Sequence, residues 1–157
     1  MLTSSMVLRY FYTCGVKLRK ALLGLLGLWL LVILNLSGKN YSNVETKAVL
    51  KTLLASSLTE GSLAVLNFAV RKTAHIIEYG VLAMLLFWCF AIGQKALRTS
   101  WFLYTLLICT LVAILDEYLQ SRAIERTATL RDILLDVTSA ALFLALIKVM
   151  FQTESRL

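Results

Sequence analysis

Five carboxylates and the only histidine of this chain lie inside or at the lip of long apolar segments: His75, Glu78, Asp116, Glu117, Asp132 and Asp136. Placing a charge at the centre of a bilayer costs at least ~2.5–3.5 kcal/mol, so such groups face a bundle interior or a watery cavity and mark a functional path. The chain has nine carboxylates, so more than half of them occupy costly positions. A histidine among carboxylates is suited to moving protons. The same donors also suit a divalent cation: His75 and Glu78, at i and i+3, could share one ion, with Asp116, Glu117, Asp132 and Asp136 completing an oxygen-rich sphere. The plainer alternative for His75 is a satisfied interhelical hydrogen bond to Asp116 or Asp136. Nucleophilic catalysis finds little support, since Ser121 and Ser139 are the only nearby candidates and neither is clearly paired with His75.

Spacing brings these residues onto shared faces. Arg71, His75, Glu78 and Tyr79 stand at i, i+4, i+7 and i+8, one face of a helix. Asp116 and Gln120 are i and i+4, with Glu117 beside them. Asp132, Asp136 and Ser139 are i, i+4 and i+7. Basic residues surround them: Arg71 and Lys72 before the first group, and Arg122, Arg126 and Arg131 between the second and third. Guanidinium grips phosphate or carboxylate through two hydrogen bonds, so Arg126 and Arg131, with Arg71 and Lys72, suggest an anionic ligand. Charge balance with the five acids is the competing explanation. Tyr79 and Gln120 serve either as ligand contacts or as polar glue between helices.

The elements that carry these residues are membrane helices. The chain is 59% hydrophobic, only 16% charged, free of proline, and has a mean hydropathy of +0.79. Four apolar stretches, about 20–36, 75–92, 100–119 and 133–151, approach the ~20 residues needed to cross ~30 Å of hydrocarbon. The expected fold is therefore an all-α integral membrane protein with four transmembrane helices, one domain over residues 1–157. Between the first two spans, Val49, Leu50, Leu53, Leu54 and Leu58 recur at helical spacing beside Lys47 and Lys51, which predicts an amphipathic segment. A second apolar piece, Leu63 to Val70, leads into Arg71 and Lys72. Consecutive spans run in opposite directions. The start of the second, the end of the third and the start of the fourth must then meet at one depth, whichever way the protein is oriented.

The net charge of +7 reads as a membrane signature rather than a nucleic-acid one. Arg9, Lys17, Arg19 and Lys20 precede the first apolar stretch with no acid among them, which places both termini in the cytoplasm. The remaining Lys and Arg do not sharpen this, because the total divides eight and eight between the two sides. No convincing cleavage site follows the first stretch, so an uncleaved helix is expected. Cys14, Cys89 and Cys109 have no metal-type spacing and imply no disulfide framework.

The segment Arg71-Lys72-Thr73-Ala74-His75-Ile76-Ile77-Glu78-Tyr79 resembles the Lys-x-x-His-x-x-Glu-Tyr motif of the VanZ-like family. Asp116-Glu117-Tyr118-Leu119-Gln120 is similar to its Asp-Glu-x-x-Gln motif, and Arg126, Thr129, Asp132 and Asp136 follow its last pattern. The three matches occur in the family's order over residues 71–143. Ser139 and Phe143 stand where that family carries glycines, so close packing of the last span is not assured by the resemblance. The family takes its name from a protein linked to resistance to teicoplanin, a glycopeptide antibiotic. The resemblance implies a role in the bacterial cell envelope, in the cytoplasmic membrane.

Taken with the basic residues, this suggests binding of an anionic amphiphile at the outer leaflet, such as a polyprenyl phosphate or a lipid-linked cell-wall precursor. Arg126 and Arg131 would hold the head group, and His75 with Asp116 or Glu117 would supply any acid–base chemistry. Two other classes stay open: a non-catalytic protein that shields or reorganises the surface, and a small proton-linked transporter. No cofactor is expected, a divalent cation being the one candidate. The partners are membrane lipids rather than nucleic acid.

Overall fold

The computed structural model describes residues 4–36, 43–53, 59–92, 98–122 and 129–154. Among them are five helices and no strand: α1 (Ser4–Leu36), α2 (Asn43–Leu53), α3 (Glu60–Ala91), α4 (Thr99–Ser121) and α5 (Leu130–Glu154). Three are long and apolar enough to cross a membrane: Glu60–Ala91, Thr99–Ser121 and Leu130–Met150. At ~1.5 Å per residue even the shortest of these segments, 21 residues, reaches ~31 Å, about the hydrocarbon thickness. The expected second, third and fourth spans therefore fall on α3, α4 and α5. The expected first span lies in α1, which is not among those three.

Helix α3 differs from the sequence expectation. The apolar piece from Leu63 and the span from His75 form one unbroken helix of 32 residues, so His75 sits midway along it rather than at its start. Nothing in the sequence breaks it: proline is absent, and the long stems of Arg71 and Lys72 continue a helix as well as leucine does. Its beginning is well defined. Thr59 caps it by accepting from the Ser62 N–H at 3.2 Å, and Glu60 in the first turn opposes the helix dipole. Lys47 and Lys51 of α2 reach the same Glu60 carboxylate at 2.8 and 3.0 Å. These pairs are exposed, so they orient α2 on the extension of α3 more than they stabilise it. The expected amphipathic segment is helical as far as Leu53; its later residues, Leu54 and Leu58, lie outside the described residues.

The core runs along α3. Tyr79, Leu82, Ala83, Leu86 and Phe87 are buried at three- and four-residue spacing, against Cys109 and Ala113 of α4, Ala140, Leu144 and Ile147 of α5, and Ile33 of α1. Lipid supplies no hydrophobic drive between membrane helices, so close van der Waals contact must do the work, and small residues permit it. Gly80 is the clearest case. A Cβ built there would meet the Phe143 ring at 2.6 Å, so the α5 aromatic lies directly on the α3 backbone. The close approach that glycines on the last span would allow is present here with the roles exchanged between helices.

Helix α1 lies antiparallel to α3. Its Arg19 donates to the carbonyl of Ile92 at the C-terminal end of α3 (3.3 Å), while Trp29 Nε1 donates to the Glu78 carbonyl near the middle (3.0 Å). Leu25, Leu28 and Leu31 on its other face are exposed.

Candidate functional site

Helices α3 and α5 run parallel and place their polar residues in step. Lys72 pairs with Asp132 at the edge of the interface. One turn further along, His75 Nδ1 lies 3.1 Å from Asp136 Oδ1, and both residues are buried. Helix α4 supplies the third wall. Asp116 Oδ2 accepts from Tyr79 Oη at 3.3 Å and from Gln120 Nε2 at 3.1 Å, the latter across one turn of its own helix. Tyr79 is fully buried, and Asp116 and Asp136 are 2% and 1% exposed, so these carboxylates are out of reach of bulk water. Ligand atoms of His75, Asp116 and Asp136 all lie within 4.8 Å of one another.

The start of α5 is held by a network of its own. Thr129 is three residues before Asp132, the spacing of a capping box, in which the third residue reaches back to the cap's N–H. Here Thr129 Oγ1 does accept from the Asp132 N–H at 3.3 Å. The reciprocal bond is taken over by another helix: the Thr129 N–H donates to Glu117 Oε1 of α4 at 2.5 Å. That frees the Asp132 carboxylate for Lys72. The cap thus ties α3, α4 and α5 together at the site's edge. The second oxygen of Glu117, Oε2, is buried and has no hydrogen-bond partner among the described residues.

The sequence-predicted residues divide clearly. His75, Tyr79, Asp116, Gln120 and Asp136 form the buried centre, while Glu117, Asp132 and Lys72 form its edge. Glu78 is half-buried on α3, and its backbone carbonyl serves Trp29 of α1; its carboxylate is not among the clustered ligand atoms. Arg71 is half-buried one turn before His75, and Arg131 is exposed next to Asp132. Arg126 lies outside the described residues. Ser139 donates to the Leu135 carbonyl of its own helix at 2.7 Å.

Sequence reasoning did not single out Thr129 as a site residue, although its cap spacing was a usable signal. It also passed over Asn67, which is buried two turns before His75 on the same stripe of α3. No local pattern pointed to Trp29.

Chemically, the centre offers a histidine oriented by one carboxylate, beside a second carboxylate held by a phenol and an amide. Such an arrangement can hold and pass a proton, because the Nδ1–carboxylate bond fixes the ring and leaves Nε2 for exchange. The comparisons with known proteins bear on the setting. A family model described as VanZ/LLP1 matches residues 22–151. No curated protein and no solved structure gives a match.

Proposed function

The chain belongs to the VanZ/LLP1 family, and on that basis we propose that it is a cell-envelope membrane protein that receives the head group of an anionic amphiphile at the polar end of its bundle. The observation that carries this reading is the layering of charge. A basic rim (Arg71, Lys72 and Arg131, which adjoins Asp132) borders a buried acid–histidine centre. A phosphate or carboxylate would meet the rim first, and its proton would be managed by His75 beneath it. Polyprenyl phosphates and lipid-linked cell-wall precursors have this chemistry, and a contribution to glycopeptide (teicoplanin) resistance would follow from engaging them. In this reading α1 is the fourth span, antiparallel to α3, and both termini are cytoplasmic, so the site opens to the outer leaflet.

Two measurements test the proposal. Native mass spectrometry of the gently extracted protein should retain an anionic lipid, and Arg71→Ala with Lys72→Ala should lose it, while Leu86→Ala in the apolar half retains it. Retention of only zwitterionic lipid, or unchanged retention in the rim variant, removes the anion site and favours a surface-shielding role. Cysteines placed at Lys51 and Arg122 should be labelled from outside in intact cells. Labelling only after permeabilisation reverses the orientation and moves the site to the inner leaflet.

A further inference from the structure

The centre gathers three buried carboxylates around one imidazole. Asp116, Glu117 and Asp136 are all buried, and Lys72 at the edge of the interface pairs with Asp132. His75 can balance one carboxylate at most. Two carboxylates and an imidazole from three different helices bring ligand atoms within 4.8 Å of one another. An ion with bonds of ~2.1 Å in an octahedron separates adjacent donors by ~3.0 Å and opposite donors by ~4.2 Å. The 3.1 Å between His75 Nδ1 and Asp136 Oδ1 already matches an adjacent pair, and the Asp116 oxygen lies within 4.8 Å of both. A separate observation points the same way. Glu117 Oε2 is buried without a hydrogen-bond partner among the described residues, and its carboxylate is close enough to Asp116 and His75 to interact with both charges. A buried carboxylate oxygen without a partner is costly unless a proton or a cation answers it.

We propose that His75, Asp116 and Asp136 bind one divalent cation inside the bundle, with Glu117 beside it as a further acidic oxygen. One imidazole with two or three carboxylates suits a first-row ion such as Mn2+ or Zn2+ better than Ca2+, which takes six to eight oxygens. The ion would replace the His75–Asp136 hydrogen bond with two metal–ligand bonds and turn an acid-rich centre into one that attracts anions. The site needs no lipid to form, so it stands or falls apart from the amphiphile reading.

The full-length protein, stripped with chelator and held in lipid-free detergent, is titrated with Mn2+ and followed by electron paramagnetic resonance, with Zn2+ as competitor. About one ion per chain should bind saturably, with nitrogen coupling from an imidazole and a rise in melting temperature. Asp116→Asn and Asp136→Asn should weaken binding by at least about tenfold, whereas Glu60→Gln, far from the centre, should leave it unchanged. If the Asn variants fail to fold, the nitrogen coupling in the wild-type protein decides alone. Absence of saturable binding, bound Mn2+ without nitrogen coupling, or undiminished binding by folded Asn variants overturns the proposal. Lipid retention is measured separately, so loss of one property with the other intact shows which reading has failed.

Discussion

The two ends of this bundle are built from different materials. At one end, His75, Asp116, Glu117 and Asp136 are buried together. At the other, Phe87 packs against Phe102 with ring centroids 4.6 Å apart and meets Trp88 edge-on at 5.9 Å, with Leu86, Ala91, Trp101 and Ile147 around them. Both ends present leucines outward, among them Leu103, Leu107, Leu134 and Leu142. The apolar end shows that three helices of this length can be held together by rings and small residues. The polar end carries the added cost of buried ionisable groups, which is the strongest reason to read it as functional.

The largest break in this comparison should come from His75→Ala. Removing one partner of a buried pair leaves Asp136 uncompensated, at a cost of ~3–5 kcal/mol. Reversible unfolding in mixed micelles reads this directly. The double variant His75→Leu with Asp136→Leu sharpens it, because a buried ion pair replaced by apolar residues is often neutral or stabilising by ~1–4 kcal/mol. We expect that protein to be at least as stable as the wild type, yet unable to retain an anionic lipid. A destabilised double variant would mean that the polar end holds the fold together after all.

Gly80→Ala comes next. The added methyl collides with the Phe143 ring, and overpacking costs ~1–3 kcal/mol. Adding Phe143→Leu should return most of that loss in the same unfolding assay. Thr129→Ala removes the side-chain cap of α5 at ~0.5–2 kcal/mol, and it should also weaken lipid retention, since that cap fixes the Asp132 backbone at the site's edge, while the backbone N–H that holds Glu117 remains. The smallest effect is expected for Leu107→Ala on the outer face of α4, within ~0.5 kcal/mol of wild type and with unchanged retention.

Much of the site was legible because it follows from topology. Alternating spans force the relevant parts of α3, α4 and α5 to one side, and the i, i+4 spacings set which residues share a face. Sequence could not decide whether His75 meets Asp116 or Asp136, since that depends on how far each helix is rotated about its axis. The continuity of α3 was obscured by Arg71 and Lys72, which resemble the boundary of a span but sit in mid-helix. The destination of Glu117 was hidden because its partner is a backbone N–H, which any residue at position 129 except proline would supply. Phe143 looked like a departure from close packing because its compensation, Gly80, lies on another helix.

That notch in α3 also acts as a gauge. Lys72 with Asp132, His75 with Asp136 and Gly80 with Phe143 climb α3 and α5 together, and at Gly80 the ring occupies the space a Cβ would fill. If α5 slid by a single residue along its axis, the ring would strike a side chain and every polar pair would shift by ~1.5 Å. That is half the separation between His75 and Asp136. A hydrogen atom in place of a methyl, five residues beyond His75 on the same helix, therefore sets the spacing at which the acids and the imidazole face each other.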